Sequence, residues 1–198
     1  MTFYDPETEQ KARRTLKFIN RAMIPLWRLG LGGWLNFWPK VGGRIMVIVH
    51  TGRKSGKRRY NNVNYSIING DIYCTAGFGS ITDWYRNILN NPNVEVWLPD
   101  GWWNGIAEDV SYDQNRLNIL RQVLIDSGFA ARAMGIEAAT IPAEVLERVT
   151  QDYRLVRIRR TAARTGAGGP GNLAWVWPLS TFILLGLLIF RPRHGKKG

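Results

Sequence analysis

The sequence predicts an α+β fold in which antiparallel hairpins form a small β-barrel with peripheral helices, followed by one C-terminal transmembrane helix. Asn69-Gly70 separates two strand-like runs, and both residues tolerate the positive φ that a tight hairpin turn requires. Pro99-Asp100-Gly101 separates a second pair of such runs. The third observation is the uncharged run from Leu173 to Phe190, which as a helix is just long enough to span a hydrocarbon core.

The N-terminal part of the chain predicts a helix and then an aromatic stretch. From Thr8 to Leu31, apolar residues recur at helical spacing, which indicates an amphipathic helix that ends at a group of glycines. The stretch from Trp34 to Pro39 follows. Packing on the core is the favoured interpretation of its aromatic residues. Contact with a membrane interface is the alternative, because Trp rings and basic residues suit that environment.

The middle of the chain alternates strands with short helices. Ile45–Val49 is an unbroken apolar run, which predicts a strand buried on both faces. The hairpin strands are predicted at Val63–Ile68, Asp71–Ala76, Val94–Leu98 and Trp102–Val110, and a last strand at Tyr153–Ile158 closes the domain. Helices are predicted at Asp83–Asn90, Tyr112–Asp126 and Pro142–Val149.

The remaining residues divide the chain into a domain, a linker and an anchor. The barrel domain is assigned to residues 1–160 and a Gly- and Ala-rich linker to 161–172. Residues 173–190 form the predicted transmembrane helix, with Trp175 and Trp177 at one end and the basic tail 191–198 at the other. A buried apolar tail is the alternative, since Pro178 interrupts the segment. The polar N-terminus is unlike a signal peptide, so we expect a single-pass protein of the cell membrane with a cytoplasmic domain.

Composition limits the classes of function. The net charge of +12 indicates anionic partners, such as phosphate-bearing cofactors or acidic lipids. We expect no nucleic-acid partner, because the sequence has no recognition motif for one. Cys74 is the single cysteine, so no intramolecular disulfide can form. His50 and His194 are the two histidines, too few and too far apart to indicate a metal site, and no metal is predicted.

A basic segment between the first two strands is the strongest candidate site. It runs Thr51-Gly52-Arg53-Lys54-Ser55-Gly56-Lys57-Arg58-Arg59. Its glycines allow a tight turn, and its cations and hydroxyl can donate hydrogen bonds to oxyanions. It is not a Walker A loop, because Arg53 stands where that motif needs glycine. On spacing alone, a phosphate site and a solvated basic loop remain equally compatible with the segment.

The order of several motifs resembles the deazaflavin-dependent nitroreductase family. The basic segment is followed by Asn61, by the turn Ala76-Gly77-Phe78-Gly79 and by Asp83-Trp84-Tyr85-Arg86-Asn87. Asn91-Pro92 and the strand from Val94 come next. The resemblance covers the chain from about Ile19 to Arg159. It implies a split, flavin-reductase-like β-barrel that binds the deazaflavin coenzyme F(420), with flavin mononucleotide as the less favoured cofactor.

The resemblance also implies the residues of the coenzyme site. The phosphate-bearing tail and side-chain oxygens would contact Arg53, Lys54, Ser55, Arg59 and Asn61. The ring and ribityl chain would lie against the turn Ala76, Gly77, Phe78 and Gly79. The short helix would border the site with Trp84, Arg86 and Asn87. No catalytic side chain is assigned, because the coenzyme itself carries the hydride.

Two functions follow as hypotheses. The first is a membrane-anchored oxidoreductase that passes a hydride from the reduced coenzyme to an unknown, lipophilic acceptor such as a quinone. The alternative is a non-catalytic accessory subunit of a membrane complex, with residues 173–190 packed against partner helices. A homodimer is expected by resemblance, and the lipid bilayer is the expected partner of the C-terminal segment.

Overall fold

A closed barrel of six antiparallel strands forms the centre of the protein, and the computed structural model describes residues 21–190. The strand order is β1-β2-β3-β6-β5-β4, with β4 pairing back onto β1. The strands are β1 (Ile45–Thr51), β2 (Arg58–Ile68), β3 (Asp71–Ala76), β4 (Asn93–Leu98), β5 (Gly101–Asp109) and β6 (Arg154–Thr165). The predicted α+β class and antiparallel barrel are confirmed.

Helices surround the barrel and close one of its ends. They are α1 (residues 21–28), α2 (Gly32–Leu35), α3 (Pro39–Gly42), α4 (Asp83–Asn90), α5 (Arg116–Asp126), α6 (Phe129–Ala133), α7 (Ala143–Val149) and α8 (Val176–Ile189). A short 3-10 turn, Gly79–Ile81, precedes α4. Of the helix predicted from Thr8 to Leu31, residues 8–20 lie outside the described residues.

Both predicted hairpins are present. Asn69 and Gly70 have φ values of 52° and 88° between β2 and β3, so the turn uses the left-handed conformations that these residues tolerate. Strands β4 and β5 pair from Asn93↔Ile106 to Leu98↔Gly101. Both hairpins therefore form at the turns that the sequence predicts.

Side chains of β1 alternate between two apolar layers, as predicted for a strand buried on both faces. Met46 and Ile48 point into the barrel and belong to its interior core. Val47 points outward and packs in a second group with Trp27 of α1 and Trp97 of β4. A third apolar group, which includes Leu120 of α5 and Leu146 of α7, covers another outer face. Each fully buried aliphatic side chain contributes about 2 kcal/mol through removal of apolar surface from water.

The aromatic stretch after α1 does not pack on the core. Trp34, Phe37 and Trp38 have 78%, 69% and 72% of their surface exposed, so the interpretation of this stretch as core packing is wrong for these three residues. Leu35 instead is the residue of α2 that packs against the outer apolar group around Trp27. A helix of one turn buries only one face, and here that face carries Leu35.

The last strand is longer than the sequence predicted. Strand β6 continues past Ile158 to Thr165 and pairs with both β3 and β5. Residues 161–165 of the predicted linker therefore belong to the barrel. Closing a six-stranded barrel requires a strand long enough to satisfy neighbours on both sides, and that requirement is not visible in local composition. Beyond the strand, Gly168 donates a backbone hydrogen bond of 2.9 Å to the carbonyl of Pro99.

The C-terminal apolar segment forms a shorter helix than predicted. Helix α8 has 14 residues, because residues 172–175 form turns ahead of it. At about 1.5 Å per residue it is about 21 Å long, against about 30 Å for a hydrocarbon core. Within residues 21–190, no helix combines the length and apolarity needed to cross a membrane. The predicted transmembrane helix, and the single-pass localisation that depends on it, are therefore not supported. The basic tail 191–198 lies outside the described residues.

Candidate functional site

The connection between β1 and β2 is a compact loop closed by its own backbone. The amide of Gly52 donates to the carbonyl of Lys57 at 2.9 Å, and the carbonyl of Gly52 accepts from Ser55 and Gly56 at 3.1 and 2.8 Å. A Cβ atom at position 52 would lie 2.9 Å from Oγ of Ser55, and Gly56 has a left-handed φ of 62°. The turn therefore favours glycine at both positions, by the crowding at position 52 and by the left-handed backbone at position 56.

This loop, residues 51–59, holds more positive charge than its neighbours neutralise. Its cations are Arg53, Lys54, Lys57, Arg58 and Arg59. Arg53 pairs with Asp83 at 3.0 Å and Arg58 with Glu95 at 2.5 Å. Within residues 21–190, no carboxylate pairs with the other three, which are exposed. Three uncompensated cations around a tight glycine turn fit a phosphate-bearing ligand.

Helix α4 closes the barrel end beside this loop. Its residues Trp84, Tyr85 and Ile88 belong to the interior core of the barrel. Asn87 lies on the same helix and is buried, and its Oδ1 accepts from the backbone amide of Arg53 at 3.1 Å and from Nη1 of Arg53 at 3.0 Å. The helix therefore fixes the base of the basic loop.

The turn after β3 is held against the segment before β6. Gly79 has a φ of 65°, and a Cβ atom there would lie 2.5 Å from the backbone oxygen of Asp152. A Cβ atom at Gly77 would lie 3.6 Å from the ring of Tyr153, which is ordinary contact. Ala76 is buried in the barrel core, whereas Gly77 and Phe78 are half-buried. The backbone of this turn is thus accessible at Gly77 and sterically restricted at Gly79.

Apart from the Ala76–Gly79 turn, the predicted site residues fall into three groups. Lys54, Ser55 and Arg59 lie exposed on the loop, and Nη2 of Arg59 donates to Oγ of Ser55 at 3.4 Å. Arg53 binds Asn87 directly, and His50 lies between Asn87 and Asn61. Trp84 packs in the core with 7% exposure, and Arg86 donates from Nε to the carbonyl of Ser80 at 2.8 Å. The ligand contacts assigned to all of these residues stay predictions.

Helix α4 connects the two predicted halves of the site. Asn87 holds the loop between β1 and β2, while Arg86 holds the turn after β3 through Ser80. The basic loop and the Ala76–Gly79 turn, which are distant in sequence, are therefore both attached to one eight-residue helix. A rigid element between two ligand-contacting segments keeps their separation constant.

His50 is the site residue to which sequence reasoning assigned no role. It is 3% exposed and contacts Asn61 through Nε2 at 2.9 Å and Asn87 through Nδ1 at 3.3 Å. Burial lowers the pKa of His50 below 6.5; the hydrogen bond to Asn61 opposes that effect and the nearby Arg59 adds to it. Its position immediately before the loop was the available signal. A histidine at a strand end is, however, most often structural.

Comparison with protein families decides the class of protein. Residues 32–148, which contain the loop, the turn and α4, match the model of the F420H(2)-dependent quinone reductase family. The chain belongs to this family. Membership confirms the predicted class, a deazaflavin-dependent oxidoreductase, and confirms coenzyme F(420) as its cofactor. No match was found among the curated proteins.

Three solved structures are partly similar to this chain. A structure described as an F420-H2 Dependent Reductase is 21% identical, with 59% of this chain and 94% of that chain covered and a TM-score of 0.39. An F420 reductase is 17% identical, with 64% and 93% covered and a TM-score of 0.42. A conserved hypothetical protein from Mycobacterium tuberculosis is 16% identical, with 63% and 78% covered and a TM-score of 0.48.

Proposed function

We propose that this family member transfers a hydride from reduced coenzyme F(420) to a lipophilic, quinone-like acceptor. The proposal is supported by the positive charge of Lys54, Lys57 and Arg59, which no carboxylate within residues 21–190 pairs with, on a loop that is crowded around Gly52. Such a loop suits the phosphate-bearing tail of the coenzyme. The coenzyme supplies the hydride chemistry, and the protein supplies binding and orientation.

Each part of the site has a distinct role in this proposal. Lys54, Ser55 and Arg59 bind the phosphate oxygens as donors. Arg53 is engaged with Asp83 and Asn87, so it shapes the loop and adds its charge to the local field. The backbone of Gly77 and the edge of Phe78 lie against the coenzyme ring. Helix α4, packed into the barrel end, excludes water from the interior behind the ring.

The acceptor is proposed to be lipophilic because α8 exposes apolar surface on every side. None of its residues is buried, and Phe182, Leu184, Leu187 and Leu188 are between 65% and 73% exposed. Exposed Trp175 and Trp177 stand at its start. A helix without a polar face is stable in a lipid phase or against another apolar surface. We therefore propose that α8 rests in the lipid phase that dissolves the acceptor.

A second function is supported by the same helix. In a membrane complex, the apolar surface of α8 would pack against helices of a partner subunit or against α8 of a second copy. Here the protein would act as an accessory subunit that retains the barrel. Binding of the coenzyme by the isolated chain, followed by its oxidation by a quinone, separates the catalytic role from this one.

A binding titration of the full-length chain tests the proposed function. We expect coenzyme F(420) to bind more tightly than flavin mononucleotide, as followed by coenzyme fluorescence. Lys54→Ala should weaken binding about tenfold, since a hydrogen bond to a charged group contributes about 1.5 kcal/mol or more. Arg132→Ala removes an exposed cation of α6 and is the matched control, with no change expected. Absence of coenzyme binding by the wild type, or equal binding by both variants, would contradict the proposal.

The acceptor is tested by turnover. The oxidation rate of the reduced coenzyme is measured with a quinone that carries an isoprenoid tail, dispersed in vesicles, and with a short water-soluble quinone. Faster oxidation by the tailed quinone, relative to the rate in the absence of protein, is the expected result. Equal oxidation rates with the two quinones would contradict the proposal that the acceptor resides in lipid.

A further inference from the structure

A buried histidine lies at the barrel end that α4 closes. His50 follows Met46 and Ile48 on β1, and the alternation of the strand directs all three side chains toward the barrel interior. Asn61 pairs with Ile48 across β1 and β2, so it shares this interior face and lies diagonally opposite His50. Asn87 approaches from α4. Both ring nitrogens of His50 therefore have a carboxamide partner.

The bonds to Asn87 fix which end of its carboxamide faces the histidine. Two donors of Arg53, the backbone amide and Nη1, converge on Oδ1 of Asn87 at 3.1 and 3.0 Å. The NH2 group of Asn87 must then face Nδ1 of His50, which lies 3.3 Å away and accepts. The ring proton is consequently on Nε2, which donates to Oδ1 of Asn61 at 2.9 Å.

The result is a chain of hydrogen bonds with a single direction. It begins at Arg53 in the basic loop and passes through Asn87 and His50 to Asn61. Since Oδ1 of Asn61 is occupied as an acceptor, the NH2 group of this half-buried residue is oriented away from His50 as a donor. This chain of hydrogen bonds therefore connects the position of Arg53 in the basic loop to the orientation of the Asn61 carboxamide on β2.

We propose that His50 is a positioning residue of the coenzyme site, whose neutral Nε2–H form holds Arg53 and Asn61 in the orientations required for coenzyme binding. This inference rests on the proposed function. Protonation of Nδ1 would place an N–H group against the NH2 group of Asn87. To relieve that contact the carboxamide must rotate, and it then loses both hydrogen bonds from Arg53. Coenzyme binding therefore weakens as His50 takes up a proton.

Among the described residues, Arg59 is the charged group that acts on the pKa of His50. Arg59 lies opposite His50 across β1 and β2, and its charge opposes protonation. On α4, Asp83 is engaged with Arg53. On β4, Glu95 pairs with Val49, whose side chain is on the outer face, and its carboxylate binds Arg58 and Arg164. Among residues 21–190, His50 therefore has no carboxylate partner. Burial keeps its pKa below 6.5, although the hydrogen bonds to the side chain of Asn61 and to the backbone of Thr51 oppose that effect.

Nuclear magnetic resonance of the full-length chain measures the ring directly. The sequence has two histidines, so His194→Gln leaves His50 as the only imidazole. Long-range ¹H–¹⁵N correlation at pH 7 should show a protonated Nε2 and an unprotonated Nδ1. A titration should give a midpoint below 6.5. The opposite tautomer, or a charged ring at pH 7, would overturn the proposal whether or not the coenzyme binds.

A substitution that removes only the donor to Nδ1 tests the coupling. Asn87→Asp keeps acceptor oxygens for Arg53 but places a carboxylate beside Nδ1, so the midpoint of His50 should rise. Because a carboxylate accepts from Arg53 whether or not the ring is charged, protonation of His50 should no longer weaken coenzyme binding in this variant. Asn90→Asp adds the same charge at an exposed position of α4 and is the matched control, which should keep the pH dependence of the wild type.

The pH dependence of wild-type binding gives a second measurement that needs no substitution at Asn87. The dissociation constant of coenzyme F(420) should rise as the pH falls through the His50 midpoint determined by the titration. A constant value across that midpoint, or the same pH dependence in a folded Asn87→Asp variant, would overturn the positioning role while leaving the proposed function intact. Absence of wild-type binding at pH 7 would instead contradict the proposed function.

Discussion

The barrel end around α4 and the C-terminal helix α8 were both predicted to meet something outside the protein, but they are built in opposite ways. At the barrel end, polar side chains first bind one another: Arg53 binds Asp83 and Asn87, and Asn87 contacts His50. In α8, no residue is buried. A binding site that must hold a charged ligand needs partners that fix its donors, whereas an apolar surface needs only to be withdrawn from water.

The largest effect is expected from charges placed on α8. Leu184→Asp with Leu187→Asp puts two carboxylates on exposed apolar positions. Each aspartate costs about 2.5 kcal/mol or more in a lipid phase, so vesicle association should fall by at least about a thousandfold. The barrel should keep its thermal stability, because exposed positions contribute little to folding. Flotation of the full-length chain with vesicles measures the association.

The control for α8 places the same charges elsewhere. Gln122→Asp with Gln151→Asp alters exposed positions on the barrel side and should leave flotation unchanged. If neither the wild type nor the control floats with vesicles, the lipid-phase proposal is contradicted. If the wild type self-associates and the two aspartates abolish that association, a second copy of the protein covers α8 instead.

A smaller effect, on folding itself, is expected at the turn beside α4. Gly79→Ala combines a left-handed φ with a Cβ atom 2.5 Å from the backbone of Asp152, so it should lower the free energy of unfolding by about 3 kcal/mol. Gly56→Ala has a similar φ of 62° but meets no atom within 4 Å, and should cost only about 1 kcal/mol. Denaturant unfolding compares the two. If both variants lose the same free energy of unfolding, the turn around Gly79 rearranges to accommodate the added methyl group.

The smallest effect is the contribution of His50 to the pH dependence of stability. Burial lowers the pKa of His50 from 6.5, so between these two pKa values the unfolded chain holds a proton that the folded chain does not. The free energy of unfolding therefore falls as the pH drops below 6.5, with a slope of at most about 1.4 kcal/mol for each pH unit, until the folded pKa is reached. Denaturant unfolding of the wild type and of His50→Gln at several pH values measures this contribution as the difference between the two proteins. If the free energy of unfolding depends on pH equally in both, His50 does not contribute to that dependence.

Features of the fold that depend on neighbouring residues could be predicted from the sequence. Asn69-Gly70 specifies its hairpin, and the bounds predicted for α4 agree with the structure because Asn91-Pro92 ends the helix locally. Features that depend on distant partners could not. The extension of β6 to Thr165 depends on pairing with Trp102, and the exposure of Trp34 depends on which face of α2 meets the barrel.

The same distinction applies to the site. Sequence reasoning identified Arg53, Asn61 and Asn87 as separate ligand contacts. Arg53 and Asn87 are 34 residues apart, and only the closed barrel shows that they bind each other. The lack of a carboxylate for Lys54 and Arg59 among the described residues likewise depends on where Asp83 and Glu95 are placed. Residue types identify candidates for a charged site, while the tertiary structure decides which of them remain available.

The attachment of α8 to the barrel has a mechanical consequence. The backbone amide of Leu173 donates to the carbonyl of Arg28 at 2.8 Å, and Nε1 of Trp177 donates to the carbonyl of Leu29 at 2.9 Å. Arg28 also donates from Nε to Asn172 at 3.2 Å. These bonds join the start of α8 to the end of α1, whose Trp27 packs against Val47 and Trp97 of the barrel. A surface that receives α8 would therefore also constrain the tilt of the barrel relative to that surface.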